Sequence, residues 1–173
     1  MKRNPISYSI WLIPNEKKYN ILNDLINNIA KKYNSIQFIP HVTLLSGFLG
    51  DEIELKNKSK LLAKELSPFK ININKIDTLN EFFRSFFLTI ELNNNFSYAR
   101  EKSIECFSYI DQNFIPHLSL AYGMHDKKIK EKMKFLAIKK IKRINYFYAD
   151  AIYLAKNNEI NFKWKIIEKY KLG

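Results

Sequence analysis

Two short stretches of this 173-residue chain each carry a histidine followed two positions later by a hydroxyl side chain. The pairs are His41 with Thr43 and His117 with Ser119, and a proline precedes each histidine. In an extended strand, residues i and i+2 point to the same face, so each histidine shares a face with its hydroxyl. The apolar residues between and after them point to the opposite face, where the helix of the same lobe would cover them.

Two imidazoles and two hydroxyls suit acid–base chemistry on a phosphodiester. The unperturbed pKa of histidine is about 6.5, so one ring can remove a proton while the other donates one near neutral pH. The hydroxyls of Thr43 and Ser119 can donate hydrogen bonds to phosphate oxygens as charge builds on them. A metal site is disfavoured, because no Asp, Glu or Cys accompanies His41 or His117 on these strands. A covalent serine mechanism is disfavoured, because Ser119 does not lie in a Gly-x-Ser-x-Gly turn.

Both motifs belong to an internal repeat with a constant offset, since 117 − 41 = 76. The stretches 38–47 and 114–123 are identical at six of ten positions, counted along the sequence. The same offset aligns the predicted strand around Ser9 with the predicted strand around Ser85. Packing does not require histidine at both equivalent positions, so the repeat favours a functional pair in two related lobes that face each other across a pseudo-twofold axis.

Hydrophobic periodicity predicts the elements that position the motifs. Amphipathic or apolar-periodic segments predict helices over 16–33, 51–66, 96–110 and 127–136. Alternating or β-branched runs predict strands over 6–13, 42–45, 69–74, 82–92, 118–122, 141–148, 151–155 and 162–170. Turns are predicted at Gly47 and Gly50, and a hairpin turn at 157–159.

Composition bounds the class of protein. A hydrophobic content of 46% excludes a disordered chain, and the length fits one domain spanning residues 1–173. The single cysteine, Cys106, excludes an internal disulfide framework and a cysteine-based zinc cluster. No apolar run approaches the roughly 20 residues of a membrane span, and the segment after the basic N-terminus is typical of a strand rather than a signal peptide. The single cysteine favours a cytoplasmic location, and the lack of a long apolar run predicts no membrane association. We also expect a monomer without a cofactor.

The net charge is strongly positive. Lys and Arg total 29 against 17 for Asp and Glu, which gives +12 and attracts phosphate-bearing partners. Much of this charge can be solvated helix surface, because the chain is rich in Lys, Asn and Ile throughout. The basic run 139–143 is interpreted as a solvated edge, with an RNA-binding patch as the minority interpretation.

The motifs resemble those of the 2H phosphoesterase superfamily, whose signature is two His-x-Thr/Ser motifs on internal repeats. Plant and fungal cyclic nucleotide phosphodiesterases are the most similar members, because segments 7–11 and 81–88 also resemble their first strand and their aromatic strand. The resemblance implies a bilobal α+β fold, with two pseudo-symmetric lobes, an antiparallel β-sheet flanked by helices in each lobe, and an active-site cleft between the sheets. It also implies metal-independent hydrolysis of ADP-ribose 1″,2″-cyclic phosphate or of nucleoside 2′,3′-cyclic phosphates.

The resemblance assigns roles by position. His41 and His117 would be the acid–base pair, and Thr43 and Ser119 would hold the phosphate. No metal ligand is implied. The partner would be a small nucleotide that carries a cyclic phosphate.

Aromatic residues near the motifs would contact the rest of the substrate. Tyr122 and Phe83 would stack on the nucleobase, and Trp11 would line the cleft. Arg84 stands where the plant sequences have an uncharged polar residue. If 82–92 is one strand, alternation puts Phe83 and Arg84 on opposite faces.

Two other functions stay open at this point. One is an RNA-processing member of the same superfamily that acts on 2′,5′ linkages or RNA ends, which the positive charge favours. The other is a non-catalytic module that binds a nucleotide or RNA. His125 is interpreted as a surface-loop or helix-cap residue, and Cys106 as an unreactive residue of the third helix.

Overall fold

Alternation of strands and amphipathic helices along the sequence gives an α+β chain. The computed structural model describes residues 6–142, 144–158 and 162–173. The four helices of this part are α1 (Glu16–Tyr33), α2 (Glu52–Glu65), α3 (Asn94–Phe107) and α4 (Lys127–Ile141). The eight strands are β1 (Ile6–Leu12), β2 (Val42–Phe48), β3 (Phe69–Asp77), β4 (Phe86–Ile90), β5 (His117–Ala121), β6 (Tyr146–Ala149), β7 (Ala151–Asn158) and β8 (Lys163–Lys171).

All eight strands form one curled antiparallel sheet in the order β6-β3-β4-β5-β2-β1-β7-β8. The sheet consists of two four-stranded halves, which join where Val42 of β2 pairs with Leu118 of β5. Since 118 − 42 = 76, the junction brings equivalent residues of the two repeats together. The predicted α+β fold with two antiparallel halves is confirmed.

The two halves are interleaved. Helix α1 packs against β5 and α4, whereas α3 packs against β2 and α2. Strand β3, which follows the first repeat, pairs with β4 of the second, and β7, which follows the second repeat, pairs with β1 of the first. The expectation that β2 meets a helix of its own lobe is therefore wrong, because an apolar face specifies burial but not which helix provides it.

The core lies between the sheet and the helices. Helix α1 buries a stripe at three- and four-residue spacing, formed by Leu22, Leu25, Ile26, Ile29 and Ala30. The buried faces of the two motif strands are fully apolar, because Val42, Leu44, Leu118 and Leu120 are all 0% exposed. Each such side chain contributes roughly 1.5–3 kcal/mol by leaving water, which fixes the opposite face of each strand toward the cleft.

The predicted strand over 82–92 is wrong at its beginning. Phe82–Arg84 form a 3₁₀ turn, and β4 begins only at Phe86. The backbone N–H of Arg84 donates to the carbonyl of Glu81, and its guanidinium binds the Glu81 carboxylate, so the turn is closed by local contacts. Strand alternation consequently does not apply to Phe83 and Arg84.

Other boundaries also differ from the predictions. Helix α4 continues to Ile141, so the predicted strand 141–148 is reduced to β6. Strand β7 continues to Asn158, so two of the three predicted turn residues pair within the sheet, and Glu159 lies outside the described residues. Strand β2 runs on through Gly47, whose φ of +90° and neighbouring register shift allow the strand to bend rather than turn.

Local caps explain where the helices begin. Asp51, Asn93 and Asp126 each accept hydrogen bonds from backbone N–H groups of the first turn of α2, α3 and α4. Asn15 stands at the same position before α1, but its side chain makes no such bond. None of the helices in residues 6–142, 144–158 and 162–173 has both the length and the apolar character needed to span a bilayer.

Candidate active site

The two histidine rings are held by the same backbone contact. Nδ1 of His41 lies 2.6 Å from the carbonyl oxygen of Ile39, and Nδ1 of His117 lies 2.6 Å from that of Ile115. A carbonyl oxygen only accepts, so Nδ1 carries the hydrogen in both rings. Each neutral ring therefore keeps its lone pair on Nε2, the nitrogen left for substrate.

Each histidine also contacts an aromatic side chain of the neighbouring strand. Trp11 lies flat on His41, with ring centroids 3.7 Å apart and planes 14° apart. Phe87, which is equivalent to Trp11 by the 76-residue offset, meets His117 edge-on at 5.4 Å and 71°. The strand registers agree with this equivalence, because Trp11 pairs with Thr43 and Phe87 pairs with Ser119.

Burial lowers the pKa of both histidines. It brings the pKa of His41 to about 4, against the opposing effect of the Ile39 carbonyl. The pKa of His117 is lowered mainly by burial and also by the nearby Arg84, while the Ile115 carbonyl opposes both. Both rings are therefore neutral at pH 7 in the unliganded protein, with Nε2 ready to accept a proton.

The two motif hydroxyls lie beside the histidines but differ in their contacts. Ser119 is buried, and its hydroxyl donates to the carbonyl oxygen of Phe83 at 3.0 Å. This bond ties β5 to the 3₁₀ turn. Thr43 is half-buried on the equivalent strand of the other repeat.

The structure brings all seven predicted site residues to one cleft of about 260 Å³, which is lined by His41, His117, Thr43, Ser119, Tyr122, Phe83 and Trp11 together with further residues. Their exposure differs. Phe83 is 41% exposed, whereas Tyr122 is 6% exposed and stacks on Phe38 at 3.9 Å. Trp11 is only 3% exposed, and His41 covers one face of its indole. Phe83 therefore offers an open aromatic surface, while Trp11 is packed into the wall.

Arg84 lines the same cleft as Phe83, contrary to the strand-alternation argument. Its side chain is 19% exposed and is held by the Glu81 carboxylate and by the backbone carbonyl of Asn113. The 3₁₀ turn is the reason, because it removes the alternation that would have separated the two side chains.

Sequence reasoning missed several residues of the cleft wall. Ser46, Asp111, Asn157 and Trp164 also line it. Trp164 stands near Tyr122, with ring centroids 5.5 Å apart. No motif marks Asn157 or Trp164, because they come from the C-terminal hairpin, outside the repeated stretch.

The repeat could have revealed Asp111. Its equivalent in the first repeat is Ser35, and each of them reaches into the other repeat. Ser35 binds the backbone N–H and carbonyl of Tyr122, whereas Asp111 accepts a hydrogen bond from the Ser46 hydroxyl at 3.3 Å. Positions 46 and 122 are equivalent by the same offset, so the two contacts form a reciprocal pair.

A buried arginine supports Asp111 from behind. Arg100 of α3 is 9% exposed, forms an ion pair with Asp111 and donates to the carbonyl oxygen of Leu44 on β2. Its guanidinium also lies 3.4 Å from the ring centroid of Phe114. The loop that precedes His117 is thereby fixed to the strand that carries Thr43.

His125 contacts a buried residue of the 3₁₀ turn region. Its Nδ1 lies 3.1 Å from the hydroxyl of the buried Ser85, while the adjoining Asp126 provides the cap of α4. Cys106 is partly buried, and burial raises the pKa of its thiol. In the described residues, no group of three or more His, Cys, Asp or Glu side chains could hold a metal ion.

Comparison with known proteins defines the class. The family model described as "Cyclic phosphodiesterase-like protein" matches residues 6–172, and the chain belongs to this family. It is thus a 2H phosphoesterase, as the paired motifs predicted.

Individual relatives agree with this assignment. A "Putative phosphoesterase" of Halalkalibacterium halodurans is 27% identical over 180 residues, covering 97% of this chain and 98% of the relative. A "Cyclic phosphodiesterase" of Arabidopsis thaliana is 26% identical over 118 residues, covering 67% of this chain and 65% of the relative.

Solved structures share the fold. Escherichia coli LigT, crystallised with 3′-AMP, superposes with a TM-score of 0.62 at 10% identity and covers 98% of this chain and 99% of its own. A Thermus thermophilus protein gives a TM-score of 0.62 at 14% identity, covering 96% of this chain and 97% of its own.

Proposed function

We propose that this phosphoesterase hydrolyses ADP-ribose 1″,2″-cyclic phosphate, nucleoside 2′,3′-cyclic phosphates, or both, to phosphomonoesters without a metal ion. The observation that carries the proposal is the matched pair His41 and His117. Both rings are fixed through Nδ1 to a backbone carbonyl, so both present Nε2 in one cleft.

One histidine acts as the base and the other as the acid. The base accepts a proton from water at Nε2 while the water oxygen bonds to phosphorus. The bond from phosphorus to one sugar oxygen breaks, and that oxygen takes a proton from Nε2 of the other histidine. The products are a phosphomonoester, a free sugar hydroxyl and an enzyme whose two rings have exchanged protonation states. Which ring serves as base depends on which sugar oxygen leaves.

The acid must be protonated, although burial makes both free rings neutral. A bound phosphate anion favours the charged imidazolium, because opposite charges at close range raise the pKa of a histidine. Substrate binding therefore supplies the electrostatic condition for one protonated ring. The hydroxyls of Thr43 and Ser119 donate hydrogen bonds to the phosphate oxygens, where negative charge increases in the transition state.

The size and lining of the cleft support a nucleotide substrate. A volume of about 260 Å³ lies near the lower end of ligand pockets, roughly 300 Å³, and suits a nucleoside cyclic phosphate, or the cyclic-phosphate end of ADP-ribose 1″,2″-cyclic phosphate, rather than a folded polymer. Phe83 provides an open aromatic ring on which a base can stack, and Tyr122 and Trp164 line the cleft beside it. The name of the Arabidopsis relative and the 3′-AMP bound to LigT agree with a cyclic phosphodiester and a nucleotide, respectively.

Turnover in the presence of EDTA tests the proposal. The substrates are ADP-ribose 1″,2″-cyclic phosphate, the four nucleoside 2′,3′-cyclic phosphates and a short 2′,5′-oligoadenylate. We expect hydrolysis of a cyclic phosphate, and His41→Ala and His117→Ala should each lower kcat by about 10²–10⁴-fold, the usual contribution of general acid–base catalysis. His125→Ala is the matched control, because His125 does not line the cleft.

Two results would contradict the proposal. Turnover of the oligoadenylate alone would assign the site to RNA processing. Nucleotide binding without any turnover, unchanged in both histidine variants, would leave a binding module.

A further inference from the structure

A groove runs between α1 and α4, away from the cleft. Two adjoining cavities of about 780 and 530 Å³ share Lys32 and Leu136 in their walls. The apolar part consists of Leu25, Phe135 and Leu136. The basic part consists of Lys31, Lys32, Lys127, Lys128, Lys132 and Lys140. We call this feature the α1–α4 groove.

The charge of the α1–α4 groove is unbalanced. Glu131 is the one acidic residue in its walls, against six lysines. Ion pairs among the described residues occur elsewhere on the protein, and none involves these lysines. The cations are therefore available to an external partner.

An exposed aromatic ring accompanies the cations. Phe135 is 71% exposed and lies in the wall of the groove beside Lys128 and Lys132. Lysines that neutralise phosphates, together with an aromatic ring on which a base can stack, form the combination that binds single-stranded nucleic acid.

Two short stretches of chain connect the groove to a residue of the cleft wall. Lys32 stands three residues before Ser35, whose side chain binds the backbone of the cleft residue Tyr122. Lys127 stands five residues after Tyr122, at the start of α4. These connections define the route, past Tyr122, that a strand with its terminal phosphate in the cleft would take to the groove.

We propose that the α1–α4 groove binds the preceding nucleotides of a single-stranded RNA whose 3′ end carries the cyclic phosphate. The choice of RNA over another polyanion rests on the proposed function of the cleft. The charge and the exposed ring of the groove do not depend on it.

The test compares two lysine pairs that share i,i+4 spacing on a helix. Lys128→Gln with Lys132→Gln changes the groove, and Lys60→Gln with Lys64→Gln makes the same change in net charge on the exposed face of α2. The ligand is a fluorescent RNA of about 10 nucleotides that ends in a 2′,3′-cyclic phosphate, within the usual site sizes. Its Kd is measured by anisotropy over a series of salt concentrations, and turnover of a nucleoside 2′,3′-cyclic phosphate is measured in parallel.

We expect the groove pair to weaken RNA binding about tenfold and to reduce the slope of log K against log salt by about 1.4, or roughly 0.7 per lost phosphate contact. Phe135→Ala should also weaken binding about tenfold. The control pair should change neither quantity, and mononucleotide turnover should stay constant in all variants.

Equal losses in the two lysine pairs would overturn the inference, because they would show an effect of overall charge alone. An RNA that binds no tighter than a polyaspartate peptide of equal charge would assign the groove to acidic proteins instead. If the wild type bound RNA through Lys128 and Lys132 but hydrolysed no cyclic phosphate, the groove would stand and the proposed function would fail.

Discussion

The indole of Trp11 lies flat against the imidazole of His41, whereas the equivalent Phe87 and His117 meet in a T-shaped arrangement. A ring stacked at 3.7 Å is shielded from water on one face and restricted in rotation. The repeat thus presents the same chemistry twice with two different degrees of constraint. From this difference we predict that Trp11 positions His41 rather than providing a surface for the nucleobase.

Replacing Trp11 by leucine should lower kcat about tenfold or more with little change in KM, because small misplacements of a catalytic group are costly. Water would also reach His41, so its pKa would rise toward the ordinary value, and the limb of the pH profile that His41 controls would move to higher pH. Steady-state kinetics over a pH series measures both effects. Trp164→Phe is the control at the cleft rim, and a Trp11 variant that raised KM alone would instead place Trp11 in substrate binding.

The dependence of kcat/KM on pH should be bell-shaped with its maximum below pH 6.5. The base is active above its pKa and the acid below its pKa, and burial lowers the pKa of both rings, to about 4 for His41. Bound phosphate raises both values, so the maximum of kcat should lie at higher pH than that of kcat/KM. A kcat/KM that rises to a plateau above pH 8 would contradict the assignment of a histidine as acid.

Ser119→Ala should lower kcat by about 10²–10³-fold, the usual cost of losing one donor to a developing oxyanion. The variant also releases the 3₁₀ turn, because the Ser119 hydroxyl bonds to the Phe83 carbonyl in the unliganded protein. Ser119→Thr should recover most of the activity, since Thr43 occupies the equivalent position. Ser85→Ala serves as the control, because Ser85 is buried but does not line the cleft; equal losses in the two alanine variants would indicate a packing effect.

Arg100→Met should destabilise the protein by about 3–5 kcal/mol, because it leaves the Asp111 carboxylate without its buried partner. Adding Asp111→Leu should recover part of the free energy of unfolding, because both charges are then absent. Urea denaturation measures the difference. Lys102→Met is the comparison on the same helix, where the ion pair with Glu105 is exposed and its loss should change little.

The placement of the two motifs was predictable because each motif resides in a short contiguous stretch. Alternation along a strand is enough to predict that His41 and Thr43 share one face and that Val42 is buried on the other. The repeat extends the same prediction to His117, Ser119 and Leu118. The bounds of α1 followed from its apolar spacing for the same reason.

What could not be predicted depends on contacts between distant segments. Alternation fails at Arg84 because a 3₁₀ turn replaces the strand, and that turn is held by Glu81 and by the distant Asn113. Trp164 reaches the cleft through strand pairing that no local pattern encodes. The partner of α1 was unpredictable for the same reason, since many apolar surfaces could receive its stripe.

The interleaving of the halves has an evolutionary consequence. Each repeat gives its helix and its following strand to the other, so a chain with one repeat would leave both apolar faces uncovered. Two copies of such a chain could cover them by exchanging these elements, with equivalent valine or leucine residues meeting at the seam. The present chain has the architecture that gene duplication and fusion would give to such a swapped homodimer. After the fusion, the two originally identical walls of the cleft could acquire different residues.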